Sequence, residues 1–253
     1  ENEIKILGTF LNIYNFFASN GNLDGYSFNG LKKSNNLLDR WLVSRVNSTV
    51  EECTKSMDAY EFHEAQRHIS ELIDDVSNFY LRLSRRRFWD SSSKDTEEAY
   101  STLFYTMDII LRLLAPIAPF TSEYLYRKMH PDHLSVHASS YPVADKSLMD
   151  ENTEARIRMA RNVLELTRRA RQNGGIKGRQ PVKEILVHSE KISESDLEPV
   201  REEMNARKIK IIGESEKPER TVIKVVNSKA APILKGKMPE FLKFIEELNS
   251  SNQ

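Results

Sequence analysis

Apolar residues that return every three or four positions, in long runs over the first 170 residues, restrict this chain more than any other feature. Leu38, Trp41, Leu42, Val46, Thr49, Val50, Cys53 and Met57 all fall on one side of a 3.6-residue period. Asn36 stands where it can cap that helix, and Asp39 sits in its first turn, where a carboxylate is favoured. The same period begins earlier with Ile6, Leu7, Phe10, Leu11, Tyr14 and Phe17, and Asn20-Gly21 predicts its end. After a break over 58–60, Phe62, Ala65, Ile69, Leu72, Ile73, Val76, Phe79, Tyr80 and Leu83 predict a third helix about 24 residues and roughly 36 Å long. A fourth runs from about Thr96 with Leu103, Phe104, Met107, Ile110, Leu111 and Leu114 as its apolar face. Pro116 and Pro119 end or kink it, and Thr121-Ser122-Glu123 can open a short helix. A fifth spans about 150–172 and is closed by Asn173-Gly174-Gly175. Long helices on short joints bury their stripes best as an antiparallel bundle.

Beyond Pro181 the period changes. Residues 182–188 alternate like a strand, Ser195-Asp196-Leu197-Glu198 reads as a capping box opening a helix to about Ala206, and 208–212 and 221–226 read as strands. A last helix is expected from about Pro239 to Leu248. The expected fold is mainly α: a helical bundle over 1–178, followed by a small α+β domain over 179–253.

The 37 basic residues are balanced by 37 acidic ones, so any affinity for nucleic acid must come from local clustering. Two clusters stand out. Arg82, Arg85, Arg86 and Arg87 close the third helix and are followed at once by Phe88 and Trp89. A helix dipole favours one or two cations there, whereas four with adjacent rings suit RNA, with guanidinium groups on phosphate and a ring on an unpaired base. Trp89 fits either base stacking or the core. From Arg156 to Lys183 nine basic residues (Arg156, Arg158, Arg161, Arg168, Arg169, Arg171, Lys177, Arg179, Lys183) face only Glu165, with Glu184 next after them. A solvated helix face is one reading, and a phosphate-neutralising patch is the other.

Other chemistries find no support. Cys53, the lone cysteine, excludes an internal disulfide and a multi-cysteine zinc site, and its place on an apolar stripe makes it a core residue. His130, His133 and His137 are expected to be hydrogen-bonded loop residues rather than metal ligands. No glycine-rich phosphate loop or nucleophile elbow occurs, so no catalytic residue is assigned. No stretch is long and apolar enough for a membrane span, no leader pattern opens the chain, and a cytoplasmic location is expected. Glu1 starts inside a helical pattern, which is expected of a piece of a longer protein.

Several words in the sequence, in their order, resemble the isoleucyl-tRNA synthetases, most closely the archaeal and eukaryotic type. They are the segments 22–26 (Asn-Leu-Asp-Gly-Tyr), 38–45 (Leu-Asp-Arg-Trp-Leu-Val-Ser-Arg), 84–89 (Ser-Arg-Arg-Arg-Phe-Trp), 114–120 (Leu-Ala-Pro-Ile-Ala-Pro-Phe), 135–137 (Ser-Val-His) and 175–181 (Gly-Ile-Lys-Gly-Arg-Gln-Pro). Asp39-Arg40-Trp41 and the helical layout are shared with the valyl and leucyl enzymes, while segments 84–89 and 175–181 favour isoleucine. Leu83 and Gly178 depart from the pattern, which has an arginine and a branched apolar residue there. The resemblance implies a helical anticodon-binding bundle in a parent enzyme that attaches isoleucine to tRNA with ATP and Mg. Neither the His-Ile-Gly-His nor the Lys-Met-Ser-Lys-Ser signature is present. This chain is therefore expected to need no cofactor of its own and to supply tRNA docking beside the parent's catalytic and editing domains. The RNA-binding residues expected are Arg82, Arg85, Arg86, Arg87, Trp89, Arg168, Arg169, Arg171, Lys177, Arg179 and Gln180, with Asn12, Asn15 and Phe16 added by analogy with the family. Two alternatives stay open: the same region of a valyl or leucyl enzyme, or a helical scaffold whose arginines pair with an acidic protein.

Overall fold

Stripes of this period must be buried against one another, and the computed structural model, which describes residues 2–89, 93–178, 180–189 and 192–213, shows how. The chain divides into two units, residues 1–187 with 191–210, and residues 188–190 with 211–253. The helices among the described residues lie in the first. The strand expected at 221–226, the helix at 239–248 and Arg179 lie outside the described residues.

Helix α1 (Asn2–Leu23) buries Phe10 and Ile13. A connecting strap then lays Tyr26 flat on Tyr100 at 4.9 Å and Phe28 on Phe104 at 4.2 Å. Helix α2 (Leu37–Asp58) starts where Asn36 Oδ1 accepts the Leu38 N–H at 2.9 Å, as its sequence predicts. Its stripe, from Leu38 to Cys53, is buried. The helix stops as Glu61 N donates back to the Ser56 carbonyl at 2.8 Å, which forces Tyr60 into the left-handed region at φ 60°. Phe62, expected in the core, is instead exposed and packs edge-on to Tyr60 at 6.1 Å, because it lies in the opening turn before the buried stripe starts at Ala65.

The expected third helix is continuous in path but not in type. It begins as α3 (Phe62–Asp74), widens into a π turn (Asp75–Tyr80), resumes as α4 (Leu81–Ser84) and tightens into a 3-10 turn (Arg85–Trp89). Within the π turn Leu81 N donates to the Val76 carbonyl five residues back. That extra residue shifts the buried stripe. Ala65, Ile69, Leu72, Ile73 and Val76 are followed by Phe79, Tyr80, Leu81, Ser84 and Phe88, and Leu83 is only half-buried.

Helix α5 (Lys94–Leu114), capped by Ser93, buries its whole expected face. Pro119 does not end a helix; it opens α6 (Pro119–Met129), where its missing N–H costs nothing. Helix α7 (Glu151–Asn173) is capped by Asp150 Oδ1 on the Thr153 N–H at 3.0 Å. It ends as Ile176 N donates to the Arg171 carbonyl at 2.9 Å across Gly175, whose φ of 65° a side chain would resist. Helices α3, α5 and α7 all pack on α2, which is the centre of the bundle.

Strand β1 (Val182–His188) pairs with β2 (Ala206–Ile212) in a two-stranded sheet. Between them a 3-10 turn (Glu194–Leu197) leads into α8 (Glu198–Glu203). The capping box is Ser193 with Asp196, two residues earlier than the sequence reading, and the helix closes at Glu203 because Asn205 takes φ 48° and β2 begins at once. The fold is thus a helical bundle with a small α+β part, as the residue pattern implied.

Candidate nucleic-acid interface

Two sequence clusters 86 residues apart meet on one carboxylate. Arg82 on α4 donates through Nε to Glu203 Oε1, and Arg168 on α7 donates through Nη2 to the same oxygen at 3.2 Å. Glu203, the last residue of α8, is therefore an acidic bridge within a basic surface, and it was absent from the sequence reading. Its only sequence sign is a glutamate in the last turn of a helix, where the dipole disfavours it unless cations surround it.

The turn 85–89 carries both inward and outward side chains. With three residues per turn, positions 86 and 89 share a side, as do 84 with 87, whereas Arg85 opens the turn and is exposed although it stands one turn before the buried Phe88. Ser84 and Phe88 are buried, and Phe88 sits edge-on between Phe16 at 5.2 Å and Tyr100 at 5.0 Å. Arg85 and Arg86 are exposed with no ion-pair partner among the described residues, and Trp89 is 72% exposed. The surface reading of Trp89, rather than the core one, is the observed placement.

Arg87 turns the other way. Its side chain is 11% exposed, and it donates Nη1 to Asp39 Oδ1 at 2.6 Å and Nη2 to Asp39 Oδ2 at 2.8 Å. It also donates Nε to Asp95 Oδ2 at 2.8 Å and Nη2 to Asp95 Oδ1 at 2.6 Å. Asp39, 1% exposed, further accepts the Tyr80 hydroxyl at 2.8 Å and the Ser34 hydroxyl at 2.7 Å. Burial alone would lower the Arg87 pKa; the hydrogen bonds it donates to Asp39 and Asp95 reverse that and hold the guanidinium above its ordinary range. Burial, with Asp39 beside it, pushes the Tyr80 phenol well up, so Tyr80 remains a donor.

The second cluster divides in the same manner. Arg156 pairs with Asp196, and Arg161 with Asp74 and Asp75. Arg171 is 6% exposed, and its guanidinium donates to the carbonyls of Met204 at 3.0 Å, Lys177 at 2.6 Å, Gly178 at 3.2 Å and Gln180. Its geometry is that of a clasp on the carbonyls that follow α7. Arg158, Arg169, Lys177, Gln180 and Lys183 are exposed, and none of the cations among them has an ion-pair partner among the described residues. On α1, Asn12 and Asn15 are exposed while Phe16 is half-buried against Phe88, which brings that helix up beside the turn 85–89.

The histidines sit in hydrogen bonds: His130 Nε2 with Asp108 at 2.8 Å and His133 Nδ1 with the Tyr126 hydroxyl at 3.0 Å. Among the described residues no three His, Cys, Asp or Glu side chains converge as metal ligands. Cys53 is buried, and burial pushes its thiol up to about 12.

Residues 39–187, more than half of the chain, match the family described as anticodon-binding domain of tRNA ligase. The chain belongs to that family. The anticodon-binding match covers α2 through β1 and so includes both arginine clusters. Isoleucine-tRNA ligase of Picrophilus torridus is 45% identical over 97% of this chain and 24% of its own length. The enzyme of the same name from Thermoplasma acidophilum is 43% identical over 92% of this chain and 23% of its own, and that from Clostridium novyi 31% over 83% and 21%. This anticodon-binding chain thus spans about a quarter of the length of the curated relatives it matches. No helix among the described residues is long and apolar enough to cross a membrane.

Proposed function

We propose that this chain is the tRNA-docking portion of an isoleucine-tRNA ligase and receives the anticodon stem-loop of its tRNA. The observation that carries the reading is the meeting of Arg82 and Arg168 on Glu203, which joins two basic clusters into one surface with an exposed ring, Trp89, at its side. On that surface Arg85, Arg86, Arg158, Arg169 and Lys177 are free among the described residues to neutralise phosphates, and Trp89 is free to stack on an unpaired base. Arg82 and Arg168 contribute charge at the centre. Asn12, Asn15 and Gln180 offer amides for base edges, and Arg179 is placed with them on sequence grounds. Arg87, Arg171 and Phe16 act from within, holding the segments that present these groups.

The isoleucine-activating chemistry, with its ATP and Mg, is assigned to the catalytic domain of the parent enzyme, with an editing domain beside it. Among the described residues no three metal-ligating side chains come together. The isoleucine assignment over valine or leucine is supported by the names of the relatives and by the segments 84–89 and 175–181.

Binding of the chain to a tRNA with an isoleucine anticodon, compared with the same tRNA carrying an exchanged anticodon, tests this at several salt concentrations. The expected result is tighter binding to the first, falling with salt at a slope of about 0.7 to 0.9 per phosphate contacted. Binding blind to the anticodon overturns anticodon recognition. No RNA binding overturns docking and favours a scaffold for an acidic protein.

A further inference from the structure

The turn 85–89 exposes Arg85, Arg86 and Trp89 while resting on a largely buried network that has Asp95 half-exposed at its edge. Arg87 spans two carboxylates, Asp39 at the start of α2 and Asp95 at the start of α5, and Thr96 Oγ1 donates to the Arg87 carbonyl at 2.5 Å. Asp39 in turn gathers Tyr80 from the π turn and Ser34 from the strap. Five segments of the chain therefore converge on one guanidinium–carboxylate pair. A buried pair adds little net stability over an apolar filling of the same volume, so its value lies in fixing one geometry. In this place the geometry fixed is the rotation of a three-residue-per-turn segment. With Arg87 and Phe88 held inward, Arg86 and Trp89 must stand together on the outer side.

We propose that Asp39 and Arg87 are positioning residues for RNA recognition, which set the joint presentation of Arg86 and Trp89 without touching the RNA. This rests on the tRNA-docking reading above. A planar fork is required, because only a guanidinium reaches both carboxylates with parallel hydrogen bonds, whereas a lysine in its place keeps the charge and loses the register.

The test is a cycle on the whole 253-residue chain, read as affinity for the isoleucine-anticodon tRNA. Trp89→Ala with Arg86→Ala is expected to weaken binding on the order of tenfold or more, the scale of one lost stacked base. Arg87→Lys alone is expected to weaken it several-fold, yet to change nothing further in the Arg86→Ala, Trp89→Ala background. Asp95→Asn, which loosens the network at its half-exposed partner, is the second variant and should behave in the same way should Arg87→Lys fail to fold. An equal loss in both backgrounds, or no loss in the native one, overturns the positioning role. Unchanged binding by Arg86→Ala, Trp89→Ala instead removes this part of the docking surface itself, so the two readings fail separately.

Discussion

Asp39→Asn removes one negative charge from the interior and leaves the shape of the side chain almost unaltered. Two charge-assisted hydrogen bonds to Arg87, at 2.6 and 2.8 Å, lose their ionic partner, and one amide N–H now faces donors instead of accepting from them. At roughly 1.5 kcal/mol for each charged bond, the cost is about 3 kcal/mol, the lower edge of the range for breaking a buried pair. It stays at that edge because Asp95 remains on Arg87 as a counter-charge, half exposed. For a chain of this length that loss lowers Tm by about 6 to 12 °C. Urea and thermal unfolding followed by far-UV circular dichroism measure it, with Glu64→Gln as the control. Glu64 pairs with Arg67 at 2.6 Å on the exposed face of α3, so its loss should leave the transition unmoved. A drop for Asp39→Asn of less than about 1 kcal/mol, the worth of a surface pair, would refute the claim that this carboxylate holds the turn.

Arg171→Met strips the donors from the carbonyls of Met204, Lys177, Gly178 and Gln180 and should cost about 2 to 4 kcal/mol, measured by urea unfolding, with faster proteolytic nicking at Lys177; a native cleavage pattern would count against the clasp. Tyr60→Gly relieves a left-handed backbone at the end of α2 and is expected to raise stability by about 1 kcal/mol in the same assay. For Asp108, burial pushes the carboxyl up, but the hydrogen bond from His130 and the charge of Arg112 outweigh it and leave the pKa below its ordinary value. A carboxyl depressed on folding contributes stability that is present above its unfolded pKa, near 4, and is lost as pH falls through the lower folded value. Asp108→Asn should therefore flatten the acid side of the stability profile below about pH 4, and an unchanged profile would show the pair to be inert.

Helical existence was legible in the sequence because a 3.6-residue stripe has one good explanation, and local capping by Asn36 announced the start of α2. Local chemistry also gave the capping box, but in the wrong frame: Ser193 stands three residues before Asp196 just as Ser195 stands before Glu198, and only burial of Asp196 against Arg156 chooses between them. The candidate surface was legible as charge and not as assignment. Arg85, Arg86 and Arg87 are the same residue in a row. Which one turns inward depends on Asp39, 48 positions earlier, and on a π turn that has no composition of its own. Arg171 and Arg169 were likewise indistinguishable, since the partners of Arg171 are backbone carbonyls that any sequence would provide. Glu203 was hidden for the converse reason. It lies beyond the bundle in sequence and meets both clusters only once α8 folds onto them.

The π turn at Asp75–Tyr80 amounts to one surplus residue in the middle of an otherwise regular rod. Each residue of an α-helix advances the chain by about 100°. Losing a single residue there would leave α3 packed as before and would still produce a sound helix, but everything after it would be turned by more than a quarter revolution. Phe88 would swing away from Phe16 and Tyr100, Arg87 would leave its carboxylates, and a different pair of side chains would face outward. The phase of that rod is thus a single-residue property, and a length change too small to disturb the bundle is enough to exchange what its far end displays.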